Sequence, residues 1–447
     1  MTTTRRRLPR VAVCGGGIAG LTTAFRLAAE GLPVTLFEAS DRLGGLATWF
    51  EHGGHRFERF YHVLLDSDTH LLSLLRDLGL GGALVWRPTG MGFVHRGRLY
   101  PFNTPLDLLR FGALPVPDRI RTGLGAVWLT RGVRNGAALD DVLAVDWLPR
   151  IFGRTVFERI WDPLLAAKFG ERRDQVPAYW VWNLLTREKN GSQEVKGYVR
   201  GGYHAVSTAL EAAIRARGGD VRIGTPVEGI AADEAGVTLS LPGGREERFA
   251  AAVSTLPLPL LRRIARGPAA AELPAADLEY QGVVNVVLLL RRRLMPHYWT
   301  AVVGSDFPFQ GVVETTHVIP PDSVGGRHVV YVLNYCGPEH PLYRGGDAEV
   351  VGLARDGLRR IAPAFEDESV EASYVFRTPH VEPVWTRGYL RRRPAPRVGA
   401  TRLFLCTTAR AYPMVTAWNT SVWLATEVVS ELNAHLGGQG LPRGGTT

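Results

Sequence analysis

Cysteine is scarce in this chain of 447 residues: there are three, Cys14, Cys336 and Cys406, too few and too far apart for a disulfide framework or a metal site. Lysine is rarer still relative to its partner base, at Lys168, Lys189 and Lys196 only, so 49 of the 52 basic residues are arginine (52 − 3). No stretch of about 18 uninterrupted apolar residues exists, so no transmembrane helix is expected. No nucleophilic triad, metal-ligand spacing or internal repeat is present. The net charge of +9 could suggest nucleic acid, but the arginines are dispersed and no nucleic-acid module accompanies them. Nucleic acid is therefore not an expected partner. Arg5, Arg6 and Arg7 precede an apolar run, as in a twin-arginine leader. That run carries glycines at phosphate-binding spacing and lacks a small-residue cleavage site, so the cytoplasm is the default compartment.

What is present is a dinucleotide pattern from Val11 to Gly45. VAVC reads as a short buried strand, and Gly15, Gly17 and Gly20 fit G-x-G-x-x-G. The helix IAGLTTAFRLAAEG follows, with Ile18 and Ala19 in its first turn and Gly31 at a C-cap position. The first glycine permits a tight turn, the second a close approach to pyrophosphate, and the third close helix–strand packing. Phosphates belong at the helix N-terminus, where N–H groups are free. Glu38 ends the strand VTLFE, placed to hold both ribose hydroxyls and to disfavour a 2′-phosphate. FAD or NAD is expected rather than NADP.

Glu38 is followed by Ala39, Ser40, Asp41, Arg42, Leu43, Gly44, Gly45 and Leu46, an E-x-x-x-R-x-G-G continuation. A guanidinium suits a diphosphate, and a glycine pair lets backbone pass close to a ligand. This segment resembles the FAD-binding signature of the flavin amine oxidase and protoporphyrinogen oxidase superfamily, which includes phytoene desaturases and UDP-galactopyranose mutases. The resemblance implies that FAD is the cofactor and that Arg42, Gly44 and Gly45 lie along it. It continues from Gly53 to Leu80, similar to a bacterial protoporphyrinogen-oxidase-like subgroup in which a glycine–aromatic–histidine segment passes near the flavin. Gly54, His55, Phe57 and Tyr61 are then candidates for the active-site side, beside a plain packing role for His55 and His62.

The resemblance implies an α/β fold: a Rossmann-like FAD-binding domain built from discontinuous segments, with an inserted α+β substrate domain of mixed sheet plus helices. The expected FAD segments are 8–90, 196–265 and 396–437. The substrate segments are 91–195, mainly helical, and 266–395, a mixed β-sheet. Tyr198, Gly201 and Gly202 resemble the return to the flavin domain. DVRIGTPVEGI reads as a strand pair, and GVTLSLPGG with EERFAAAVSTLP as a β-meander. Val227 falls where the family contacts adenine through backbone, and Thr255 ends a returning strand. Residues 106–134 mix apolar residues with arginines. Helical packing is favoured there over a peripheral membrane contact.

Lys168, in WDPLLAAKFG, stands out in a chain that otherwise prefers arginine, and the segment resembles the family's P-L-L-x-x-K-F-G. An ammonium whose pKa moves on burial suits chemistry. With His55 and Tyr61 it forms the catalytic candidate set. Tyr203, Trp180, Trp182, Tyr331, Tyr335 and Tyr412 are candidates for an aromatic pocket, with core packing as the favoured alternative. Near the C-terminus the chain departs from the family. Cys406-Thr407-Thr408 replaces a Gly-Asp, removing an acidic contact to the cofactor, while Trp418 and Asn419 retain the helix start that faces the flavin.

The implied reaction is two-electron oxidation of a small organic, ring-containing substrate by hydride transfer to flavin N5, with oxygen or another acceptor completing turnover. The alternatives are a redox-neutral flavin mutase of the UDP-galactopyranose type and a flavin-binding protein without turnover. An NAD-dependent dehydrogenase is disfavoured by the Arg-x-Gly-Gly continuation.

Overall fold

The computed structural model describes residues 8–187, 195–274, 278–304 and 307–437. Arg5 to Arg7, Lys189 and the glycine-rich residues 438–447 lie outside them. The strands Val11–Cys14 and Val34–Phe37 are buried along their whole length, as a sheet covered on both faces requires. They lie in a five-stranded parallel sheet in the order 220–222, 34–37, 11–14, 251–254 and 403–405. Alternate residues divide its two sides. Val11, Val13 and Leu36 face the helical side, and Ala12, Cys14 and Phe37 face a second sheet.

The helical side is covered by Ile18–Ala29 and by the last helix, Trp418–Gly437, packed against it. The first helix stops at Gly31, whose φ of 80° permits the left-handed turn. There the Gly31 N–H reaches the Ala28 carbonyl at 3.0 Å and the Leu32 N–H reaches the Leu27 carbonyl at 3.0 Å, a Schellman closure. The other face carries a four-stranded sheet ordered 245–249, 237–241, 229–232 and 265–266. Two sequence expectations change here. Asp220–Arg222 and Gly229–Ala232 do not pair: the first joins Val34–Phe37 and the second joins Val237–Leu241. Ala251–Ser254 leaves the meander for the parallel sheet, because its alternation-free AAVS can be buried on both faces.

A seven-stranded mixed sheet forms the second body of β-structure. Its order is 370–383, 280–290, 328–334, 311–314, 299–303, 91–95 and 98–101. The pairing of Met91–His95 with Trp299–Val303 is parallel and joins two distant stretches of chain into one sheet. Helix Asp347–Ile361 covers one face. Five longer helices, 105–110, 116–131, 144–152, 162–169 and 178–187, fill most of the stretch expected to be helical. Pro163 sits in the first turn of Asp162–Phe169, where its missing N–H costs no helical bond. Helix Val116–Arg131 does not bury its apolar face as expected: Val116, Ile120, Leu124, Val127 and Trp128 point to solvent. Its inner face consists of small or short residues, Thr122 and Gly125 with Leu129.

Candidate functional site

The glycine loop closes on itself through contacts that tolerate no side chain. Gly15 adopts φ 110°, and a Cβ there would overlap Thr255 Oγ1. Thr255 is fixed by donating both its N–H and its hydroxyl to the Cys14 carbonyl, each at 3.0 Å. A Cβ on Gly20 would overlap the Gly15 carbonyl, and one on Gly45 would lie 3.1 Å from the Gly17 Cα. Gly44 donates its N–H to the Gly16 carbonyl at 2.9 Å. Gly17 is the helix N-cap and carries no side chain to occupy the N–H groups of Ile18 and Ala19. The result is a backbone cradle at the C-terminal edge of a parallel sheet, where doubly wound folds bind ligands.

Glu38 faces this cradle. Its carboxylate accepts from the Gly16 N–H at 2.6 Å and from the Ser40 N–H and hydroxyl at 2.8 Å. The segment carrying Val227 runs alongside, with Thr225 donating to the Glu38 carbonyl and Gly224 to the Ser40 carbonyl. Of the two ends of the 38–46 turn, Ala39 is exposed and Leu46 is half-buried. Arg42 is held within the turn that follows Glu38. Its guanidinium donates to the Trp49 carbonyl at 3.0 Å and stacks over the Trp49 ring, bracing the turn.

From Gly45 the chain runs into the hairpin of Trp49–His52 and His55–Glu58, whose tip is Gly53-Gly54, both at positive φ. Gly54 and His55 therefore sit at the end of the hairpin away from the glycine loop, with His55 beside Gly325. Phe57 is core, stacked on Phe50. The buried end carries more chemistry. Glu58 accepts from the Tyr198 hydroxyl at 2.8 Å and the Tyr203 N–H at 3.0 Å, and burial raises its pKa despite both bonds. His62, read from the sequence in a packing role, lies against the rings of Tyr203 and Trp418. Burial pulls its pKa down to about 4, so the ring is neutral and its Nδ1 pairs with the Phe60 carbonyl at 2.9 Å. Trp418 opens the last helix, and Asn419 Oδ1 accepts from the Leu71 N–H at 3.0 Å, fixing that helix start. Tyr61 lies between Trp299 and Tyr331.

Lys168 forms a separate centre. Its Nζ meets Glu382 Oε2 at 2.7 Å and stands 5.2 Å from the Trp180 ring centroid and 5.5 Å from that of Tyr335. Burial disfavours the ammonium, but Glu382 and Tyr335 outweigh it and hold the pKa above the ordinary lysine value. Glu382 is itself buried, and its second oxygen, Oε1, has no partner among the described residues. The pair is tied back towards the cradle. Glu382 lies opposite Gln281, next to Tyr280, whose hydroxyl accepts from the Leu258 N–H at 3.4 Å, three residues beyond Thr255. Of the other aromatic candidates, Tyr331 donates to the Glu58 carbonyl at 2.8 Å and Trp182 to the Leu129 carbonyl at 3.1 Å. Tyr412 packs with Trp385 and Tyr389 and donates to Asp140, a core role.

Among the described residues no group of histidine, cysteine or acidic side chains could hold a metal. No helix among them is long and apolar enough to cross a membrane. The cradle fits a dinucleotide on its own geometry: no Cβ fits at Gly15 or Gly20, N–H groups are free at a helix start, and a carboxylate stands beside them. A family model described as flavin-containing amine oxidoreductase matches residues 18–421. A 15-cis-phytoene desaturase from Synechococcus elongatus is 27% identical over 282 residues, 57% of this chain and 59% of its own. The chain spans less than two thirds of the length of the first curated relatives it matches. Among solved structures, cyclohexylamine oxidase from Brevibacterium oxydans superposes with a TM-score of 0.71 at 17% identity, covering 96% of this chain and 100% of that one. A reduced UDP-galactopyranose mutase superposes with a TM-score of 0.74 at 16% identity, over 97% of this chain and 96% of the other.

Proposed function

This chain belongs to the flavin-containing amine oxidoreductases, with FAD as its cofactor, and on that premise we propose that it dehydrogenates a small, ring-containing organic substrate. The observation that carries the reading is the cradle in which Gly15, Gly20, Gly44, Glu38 and Thr255 close on one another. When bound, FAD supplies the two-electron acceptor that the protein's own side chains lack.

In this reading the N–H groups of Ile18, Ala19 and Gly20 hold the diphosphate, aided by the helix dipole. Glu38 exchanges its bond to Gly16 for the ribose hydroxyls, and Val227 offers backbone to the adenine. Gly17, Gly45 and Arg42 define the channel along the ribityl side. The start of the last helix, at Trp418 and Asn419, offers backbone dipoles to charge that develops on the ring. Residues 8–90, 196–265 and 396–437 form the cofactor body, and 91–195 with 266–395 the substrate body.

Lys168 orients an anionic substrate group or a water, with Glu382 fixing the ammonium and Trp180 and Tyr335 excluding solvent. Tyr61, against Trp299 and Tyr331, and His55, beside Gly325, stand where the cofactor body meets the substrate body and take no part in proton transfer. Oxygen or another acceptor completes turnover.

The test is the visible spectrum of the purified protein, followed by anaerobic photoreduction and readmission of air. Flavin bands that bleach and then return in air, with peroxide released in the presence of substrate amines or ring alkenes, are expected. A protein that takes up no FAD, or one that needs added reductant and leaves its substrate's oxidation state unchanged, overturns the proposal.

A further inference from the structure

Helix Val116–Arg131 is inverted relative to an ordinary surface helix. Positions 116, 120, 124, 127 and 128 recur at helical spacing on one face, and that face points outward. Ile120 is 52% exposed and Leu124 67%. Its inner face is made of the small residues Thr122 and Gly125 with Leu129, and a Cβ on Gly125 would already press Phe152 at 2.9 Å. The helix thus cannot roll its apolar face inward, because only the small-residue face fits the groove. The preceding helix, Pro105–Arg110, adds Leu106 and Leu109 to the same exposed set. Seven of the eleven exposed large hydrophobics among the described residues fall between 106 and 128. Scattered apolar residues on a surface need no explanation, but a concentrated patch does.

The patch is held rigidly. Thr104 and Asp107 form a capping box on the first helix. Arg119 donates to the Leu114 and Leu109 carbonyls at 2.7 and 2.6 Å, pinning the turn between the helices. Arg121 ties the second helix to the Arg150 and Ile151 carbonyls. Arg110, Arg131 and Arg134 remain exposed around the apolar face, against Asp107 and Asp118, so the rim is basic. Trp128, half exposed, has the amphipathic ring that suits a polar–apolar boundary.

We propose that this face docks on an anionic lipid surface, with the helix lying in the headgroup plane and Leu124 inserted. A basic rim around an outward apolar stripe is the pattern of an interfacial helix. A second copy of the chain would bring the same positive rim against itself across a two-fold axis, which charge disfavours. The docking is independent of the oxidation proposed above.

The experiment is co-sedimentation of the full flavin-loaded chain with vesicles of phosphatidylcholine alone and of phosphatidylcholine mixed equally with phosphatidylglycerol. Binding to the mixed vesicles, weakened by salt, is expected. I120E/L124E lowers that binding about tenfold or more, while the off-patch control I223E/L353E leaves it unchanged. R131Q/R134Q lowers binding to the mixed vesicles without a large apolar change, which covers the case of a misfolded I120E/L124E. Flavin content and melting temperature check each variant. Equal sedimentation with and without vesicles overturns the proposal. So does a dimer by light scattering that I120E/L124E dissociates, since the face then belongs to a second copy.

Discussion

Lys168 and Glu382 are mutually dependent because neither charge has another ion-pair partner among the described residues, and Glu382 is buried. Removing one leaves the other stranded, whereas replacing both by apolar groups of similar volume removes the desolvation cost along with the attraction. K168M alone is expected to lower stability by about 3 kcal/mol. K168M/E382L recovers most of that loss while substrate turnover stays low in both. Urea unfolding alongside steady-state rates separates the two roles, and normal turnover in the double variant removes Lys168 from the site. His62 gives a second residue-level prediction, through pH. Its folded pKa of about 4 lies below the ordinary 6.5, so the unfolded chain binds more protons in that window and stability rises with pH across it. Acidification from pH 7 to pH 5 should cost the wild type about 2 kcal/mol through this group. His62→Asn, which keeps a donor for the Phe60 carbonyl, should lose that part of the slope. An unchanged slope in the variant shows that His62 is not the titrating group. Glu314 acts in the opposite direction. Burial raises its pKa to about 7, so its contribution falls as pH rises, and only the difference between wild type and variant isolates His62.

At the scale of elements, two glycines at the ends of one helix separate conformational from steric demand. Gly31 has φ 80°, and an added methyl there meets nothing within 4 Å. Gly15 has φ 110°, and its added methyl overlaps Thr255. Gly31→Ala is therefore expected to cost about 1 kcal/mol of backbone strain and to leave flavin content intact. Gly15→Ala is expected to cost more and to empty the protein of flavin. Melting curves and the flavin-to-protein absorbance ratio read both, and retention of flavin by Gly15→Ala argues against the cradle. These elements were legible from sequence because the signals that mark them, a turn, a helix stop and a strand ending in an acid, lie close together in the chain, although the clash that forbids a side chain at Gly15 comes from distant Thr255. The direction of helix Val116–Arg131 was not. Periodicity reveals an apolar face but not which side of the helix meets the protein. The small-residue stripe of Thr122 and Gly125 held that answer. Asp220–Arg222 was likewise legible as a strand, but three residues say nothing of which strand they pair with.

The whole molecule shows why the site was only half readable. Lys168 was visible as an oddity of composition, but its meaning lies in Glu382, on a distant strand of the mixed sheet, and Tyr335, just past the end of another. Glu58 with Tyr198 and Tyr203, and His62 with Trp418, are likewise pairs that only the assembled chain creates. The cradle has the same character. Its glycine loop and Glu38 lie more than two hundred residues from Thr255, and the last helix comes from later still. A ligand that touches all of them binds only the assembled state, so its free energy of binding adds to the stability of the whole molecule rather than of one segment. FAD at one hundred times its dissociation constant should stabilise by about 2.7 kcal/mol. Deflavination should therefore lower the melting temperature in a single cooperative transition. Hydrogen exchange should rise together in Val11–Cys14, Ala251–Ser254 and Leu403–Leu405, which are neighbours in the sheet but not in sequence. Exchange confined to the Gly15–Gly20 loop, with an unchanged melting temperature, would mean that the sheet stands without its ligand and that the cradle is assembled before FAD arrives.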